Sequence, residues 1–176
     1  MRSGDWMQTW TGGRFWPLDP KVEEIDTRDI AHSLSMQCRY AGHLDRFYSV
    51  AEHCVLLSQA VAPTSALTAL LHDATEAYVV DVPRPLKGSL VGYRDIEDRV
   101  WTVIAEKFGI HPEWPSDVRD ADNRIILNER NALMSRAERG AWNQDGMDPL
   151  PLTIHAWDAE TAEIEWLSRL AELTTK

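Results

Sequence analysis

An all-α bundle carrying a short N-terminal β-hairpin is the fold that the sequence predicts, on three observations. Apolar residues recur at three- and four-residue spacing through most of the chain. Helix caps and breakers punctuate those stretches at regular intervals. Strand-like patterning is confined to the start, where two short aromatic and β-branched runs over residues 7–16 flank Gly12-Gly13, and Pro17 and Pro20 close the segment.

The elements follow in order. Asp26-Thr27 are good N-cap residues for a helix reaching about Gln37. Residues 39–48, with Gly42 and interspersed charges, read as a loop. Ser49 caps a second helix to about Val61, with Glu52 at the capping-box position. Pro63-Thr64-Ser65 ends it and starts a third helix predicted through Tyr78. Pro83 and Pro85 predict a loop. A longer amphipathic helix spans about 91–108, closed by Gly109, and another about 116–137. The stretch 140–154, with Gly146 and two prolines, reads as loop, and Asp158 opens a final helix. This amounts to a single domain over 1–176, with a hairpin extension (1–20), a motif-bearing core (about 29–133), a loop (140–156) and a C-terminal helix (158–174).

Bulk properties restrict the function classes. The 176 residues are 44% hydrophobic and 26% charged, ordinary for a globular chain that buries its own core. The formal net charge of −10, without a lysine-rich tract, disfavours sequence-independent binding to long nucleic acid, which needs a basic surface. A small phosphorylated ligand stays compatible, because a local arginine and a metal overcome the global field. The apolar runs are too short to cross a bilayer and the first residues lack a signal peptide's apolar stretch, so no membrane partner and a cytosolic location are expected. Cys38 and Cys54 read as buried reduced thiols. The eight tryptophans read as core, hairpin or subunit packing.

Ionisable residues inside apolar helices carry the chemistry. His72 and Asp73 stand side by side in a segment of mostly Ala, Leu, Val and Tyr, where burial of a charge is costly unless compensated. His53 falls in the stripe of Val50, Cys54, Leu57 and Val61, and Asp122 in that of Val118, Ile125 and Ile126. Each histidine alone reads more readily as a satisfied core residue than as a ligand. Taken together, inward ionisable residues from three helices are most economically explained by one divalent cation; imidazole and carboxylate donors suit Mn²⁺, Co²⁺, Fe²⁺, Ni²⁺ or Zn²⁺. Glu76 lies near the same face as His72 and Asp73, with a surface carboxylate as the alternative. His32, His111 and His155 show no ligand spacing.

The ordered runs Ser49-Val50-Ala51-Glu52-His53, Leu71-His72-Asp73-Ala74-Thr75-Glu76, Asp81-Val82-Pro83-Arg84-Pro85-Leu86-Lys87 and Ala121-Asp122 resemble the HD-domain phosphohydrolases, most closely the small bacterial and phage 5′-deoxynucleotidases. The resemblance implies an HD-domain helical bundle in which His53, His72, Asp73 and Asp122 hold one divalent metal ion (Co²⁺, Mn²⁺, Zn²⁺, Fe²⁺, Ni²⁺ or Mg²⁺). It also implies that Arg39 contacts phosphate, that the aromatic at position 40 lies near the nucleoside, and that Asp81 approaches the sugar. The residue at 40 is Tyr40 where those enzymes carry tryptophan. A guanidinium offers planar bidentate donors to phosphate and an aromatic ring can stack on a base. His43 and Arg46 in the same loop, and Lys87, are further candidate phosphate contacts; for Lys87 plain exposure is the alternative.

The expected reaction is removal of the 5′-phosphate from a 2′-deoxynucleoside monophosphate by a metal-activated water, with Glu76 and Asp73 as the catalytic pair. The alternatives are a deoxynucleoside triphosphohydrolase or other nucleotide phosphodiester hydrolase with the same metal site, and a metal-loaded nucleotide sensor without turnover. The resemblance also implies a homo-oligomer.

Overall fold

The computed structural model describes residues 2–138 and 142–175, so the expected loop from 140 begins outside the described residues. Strands β1 (Met7–Gln8) and β2 (Arg14–Phe15) pair antiparallel, Met7 opposite Phe15 and Gln8 opposite Arg14. The helices are α1 (Thr27–Met36), α2 (Val50–Ala60), α3 (Ala66–Leu71), α4 (Glu76–Val79), α5 (Arg84–Lys87), α6 (Tyr93–Phe108), α7 (Ser116–Leu133) and α8 (Ala159–Thr174). The mostly helical fold with an N-terminal hairpin is as expected. No helix among the described residues is long and apolar enough to cross a membrane.

The hairpin is shorter than its aromatic runs suggest. Gly12 adopts φ +87°, and the Thr9 N–H donates to the Gly13 carbonyl at 3.1 Å, which closes the turn. A ribbon of this length has little stability of its own, and two anchors hold it to the bundle. Phe15 is fully buried and stacks on Tyr78 with ring centroids 3.9 Å apart. Thr11 donates its N–H and hydroxyl to the Asp29 carboxylate of α1, at 2.7 and 3.0 Å.

Helix starts follow their capping residues. Asp26 accepts from the Arg28 N–H at 2.8 Å, Ser49 from the Glu52 N–H at 3.1 Å and Asp158 from the Thr161 N–H at 2.8 Å. The Glu52 side chain does not complete a capping box. It is fully buried and accepts the backbone N–H groups of His155, Ala156 and Trp157 at 2.8, 2.9 and 2.7 Å, pinning the segment before α8 against α2. At the end of α6, Gly109 takes φ +64° and the Ile110 N–H returns to the Ala105 carbonyl at 3.0 Å.

Three boundaries differ from the sequence reading. The single helix expected through Tyr78 is broken: α3 ends at Leu71, and the next N–H groups, Ala74 to Leu71 and Glu76 to Asp73, bond three residues back at 2.8 and 2.9 Å. The proline loop contains one helical turn, α5, because Pro85 occupies a first-turn position that needs no N–H donor. Helix α7 stops at Leu133, short of Ala137.

Helix α2 lies at the centre, every residue from Val50 to Ser58 buried, in contact with α1, α3, α7 and α8. One apolar cluster gathers Phe15, α1, α3, α6 and α8 around it. A second joins α2 to α7 and to Leu150 and Ile154. Truncating Phe15 opens a cavity beneath the hairpin, so Phe15→Ala is expected to lower the unfolding free energy by about 3–5 kcal/mol, measured by urea denaturation.

Candidate metal centre

Three parts of the fold aim ligand atoms at one point. His53, fully buried, comes from the first turn of α2; His72 and Asp73 come from the tightened turn between α3 and α4; Asp122 comes from α7. His53 Nε2 lies 3.2 Å from His72 Nε2 and 3.5 Å from both Asp73 Oδ2 and Asp122 Oδ1. His72 Nε2 lies 3.2 Å from Asp73 Oδ2 and 3.9 Å from Asp122 Oδ1. Donors about 2.1 Å from one divalent ion sit about 3–4.2 Å apart, depending on the angle between them, so these spacings fit a shared cation.

The tautomers strengthen that fit. His72 Nδ1 is 2.7 Å from the Ala69 carbonyl, which can only accept, so the proton is on Nδ1. His53 Nδ1 is 2.7 Å from the Glu129 carboxylate, with the same consequence. Whenever the rings are neutral, they therefore turn bare Nε2 lone pairs toward each other and toward two carboxylates. A cation resolves that arrangement. Two overlapping sets could hold a divalent metal ion: His53, His72 and Asp122, and His72 and Asp73 with Cys54. Cys54 Sγ also approaches His72, at 3.9 Å, but on the Nδ1 side, and burial pushes its thiol pKa up, which disfavours a thiolate ligand.

The electrostatics match. Burial opposes ionisation of Asp122, yet the hydrogen bond to His53 and the field of His72 bring its pKa down to about 2. Burial likewise opposes the Asp73 carboxylate, and His72 outweighs it, holding that group below the usual range. Burial disfavours a charged His72, but the Asp73 carboxylate raises it well above an ordinary histidine. The field that attracts a cation also attracts a proton. Glu76 is the opposite case: burial, then the charges of Asp73 and Asp81, push its carboxyl well up, and its Oε2 has no hydrogen-bond partner among the described residues.

Behind the cluster stands Glu129, fully buried, which the sequence reading did not single out. Its carboxylate accepts from His53 Nδ1 and from the Tyr40 hydroxyl, and pairs with Arg39 Nε at 3.3 Å. Burial opposes its charge, and Arg39 overcomes this to lower its pKa. Glu129 lies seven residues after Asp122, two turns along the same helix, and that spacing was the available signal. Arg39 also meets Asp73 Oδ2 at 3.3 Å. Tyr40 and Ala41 have φ of +55° and +51°, a left-handed conformation that non-glycine residues take at a cost of about 1–2 kcal/mol each.

A cavity of about 680 Å³ adjoins this network, lined by Arg39, Tyr40, His43, Asp81, Arg84 and Trp142, among others. It brings together four of the six expected substrate contacts. Lys87 lies elsewhere, in a cavity of about 430 Å³ beside His72 and Asp73, where it pairs with Glu97 at 2.5 Å. Arg46 is exposed and lines neither cavity. Arg84, read only as part of a motif run, reaches Asp122 Oδ2 at 2.6 Å.

Fold and cluster thus define a helical protein with a buried His/Asp group able to hold a divalent cation. By sequence the chain belongs to the family of the Escherichia coli protein YfdR, with which it is 45% identical over 127 residues, 72% of this chain and 71% of that protein. It is also 33% identical over 126 residues to a Rhodobacter capsulatus protein, covering 66% of this chain and 64% of the relative, just under two thirds of the latter's length. Both relatives are described as uncharacterized proteins. No family model matches the chain.

Two outcomes are expected. Proton release should accompany Mn²⁺ uptake, and affinity should fall with decreasing pH as His72 holds its proton, detectable by calorimetry in buffers of different ionisation enthalpy. In metal-stripped protein, Glu129→Gln should destabilise the fold near neutrality, by at most about 3–5 kcal/mol, by removing one of the two carboxylates that pair with buried Arg39. Because the Glu129 pKa is lowered from 4.5 on folding, that contribution is present above 4.5 and is lost as pH falls through the lower folded value. Urea midpoints of the two proteins should therefore converge in acid.

Proposed function

We propose that the protein is a metal-dependent phosphohydrolase of the HD-domain type that removes the 5′-phosphate from 2′-deoxynucleoside monophosphates. The observation that carries the reading is the meeting of His53, His72, Asp73 and Asp122 beside a cavity holding Arg39, Tyr40 and Asp81. A cytosolic location and a homo-oligomeric state belong to the same proposal.

A divalent ion held by these four residues would supply Lewis acidity to the phosphoryl oxygen and to the attacking water. Arg39, fixed by Glu129 and Asp73, presents its guanidinium to the phosphate. Arg84, more than half exposed, faces the same cavity and adds a second cation when its carboxylate partner turns to the metal. Glu76, kept protonated by burial and by Asp73 and Asp81, holds a proton at Oε2 for the departing sugar oxygen. Asp81 accepts the 3′-hydroxyl and leaves little room for a 2′-hydroxyl. The second cavity, where Lys87 adjoins Asp73, favours as second reading a substrate with further phosphates.

The test is phosphate release by malachite green from metal-stripped protein. Ribo- and deoxynucleoside mono- and triphosphates serve as substrates, with Mn²⁺, Co²⁺, Mg²⁺ or Zn²⁺ restored singly. Release from deoxynucleoside monophosphates alone is the expected result; tripolyphosphate from triphosphates, resolved by anion-exchange chromatography, establishes the second reading, and binding without product refutes both. Asp73→Ala should lose metal and turnover together. Glu76→Gln should keep the metal and lose about 10²-fold or more in kcat.

A further inference from the structure

One wall of the cavity beside the candidate metal centre is built by residues 142–144, outside every motif that suggests chemistry. The turn is held from behind. Arg130 of α7 forms an ion pair with the Asp145 carboxylate, whose other oxygen accepts the Trp142 N–H at 3.0 Å. The Arg130 guanidinium also lies over the Trp142 ring, 5.8 Å from its centroid. The indole is thereby fixed at an angle to Tyr40, ring centroids 6.5 Å apart and planes at 61°. Tyr40 is itself tied to Glu129 through its hydroxyl. Two rings, one secured by the part-buried Arg130–Asp145 pair and the other by the buried Glu129 carboxylate, line a space that has Arg39 as a neighbour.

Asn143 and Gln144 line the same space, and their side-chain amides form no hydrogen bond among the described residues. A flat aromatic wall with unused amides beside it matches a heteroaromatic ring whose edge carries a donor next to an acceptor. We infer that residues 142–144 form a nucleobase subsite, in which Trp142 stacks on the base and Asn143 and Gln144 select it, favouring adenine. Side-chain amides pair bidentately with the amino group and ring nitrogen of adenine, whereas guanine is the partner of arginine. The inference rests on the nucleotide reading above, and it assigns a base preference that this reading leaves open.

The test compares Mn²⁺-loaded wild type, Trp142→Ala, Trp142→Phe and Asn143→Ala/Gln144→Ala on dAMP, dGMP, dCMP, dTMP and the base-free probe 2-deoxyribose 5-phosphate. In the wild type dAMP should have the lowest KM, with the base-free probe at least about 10-fold higher. Trp142→Ala should raise the KM for dAMP about 10-fold, with little change in kcat or in the KM of the base-free probe, and Trp142→Phe should restore most of the loss. The double amide variant should level the four bases. An unchanged dAMP KM in Trp142→Ala, an equal rise for the base-free probe, or a wild type indifferent to the base overturns the inference while leaving the hydrolase reading intact. If no compound is hydrolysed, the hydrolase reading fails separately. Calorimetric binding of dAMP that weakens in Trp142→Ala then supports the subsite, and absence of binding or equal binding overturns it.

Discussion

Four ligand atoms turned toward one point inside a helical core create a demand for positive charge, and the surrounding structure is arranged around that demand. Two imidazole lone pairs and two carboxylates cannot face each other at 3.2–3.9 Å without a cation or protons between them. The protein fixes both ring tautomers from behind, through the Ala69 carbonyl and the Glu129 carboxylate, so the donors keep their aim. The helix break after Leu71 follows from the same need. His72 claims a backbone carbonyl with its side chain, and the chain tightens into three-residue bonding to bring Asp73 to the centre.

Glu129 links this centre to the adjoining cavity. One buried carboxylate orients His53, restrains Tyr40 and neutralises Arg39. Removing it would disturb the candidate metal centre and the cavity wall at once, with effects that are not additive. The left-handed backbone at Tyr40 and Ala41 lies beside this node, and Val80, at φ +70°, lies immediately before Asp81. Strain of this kind persists where the surroundings over-determine a conformation, and here it borders the cavity on two sides.

His53, His72, Asp73 and Asp122 were legible in the sequence because ionisable groups in apolar helical stripes are anomalies that periodicity exposes. The main helices and their caps were legible for the same reason, each resting on local chemistry at Asp26, Ser49, Gly109 and Asp158. Glu129 was not, since a glutamate near the end of a polar-faced helix ordinarily faces water, and its burial depends on partners 76 and 89 residues away. The break at His72 was hidden because the residues around it read as one apolar helix. The Trp142 wall had no periodic signal, as its placement depends on the ion pair between Arg130 and Asp145. Arg46 was grouped with Arg39 because they share a loop, and Lys87 was read as a contact at the end of the 81–87 run; position in a loop says little about which cavity a side chain reaches.

The buried carboxylate of Glu52 ties the far end of the chain to the residue beside His53. Three backbone N–H groups satisfy its oxygens, with Ala156 held at φ +58°. Displacing the segment 155–157 would leave those oxygens unpaired in an emptied hole one position from His53. A disturbance that lifts α8 from its seat on α1 and α2 therefore reaches the candidate metal centre through Glu52.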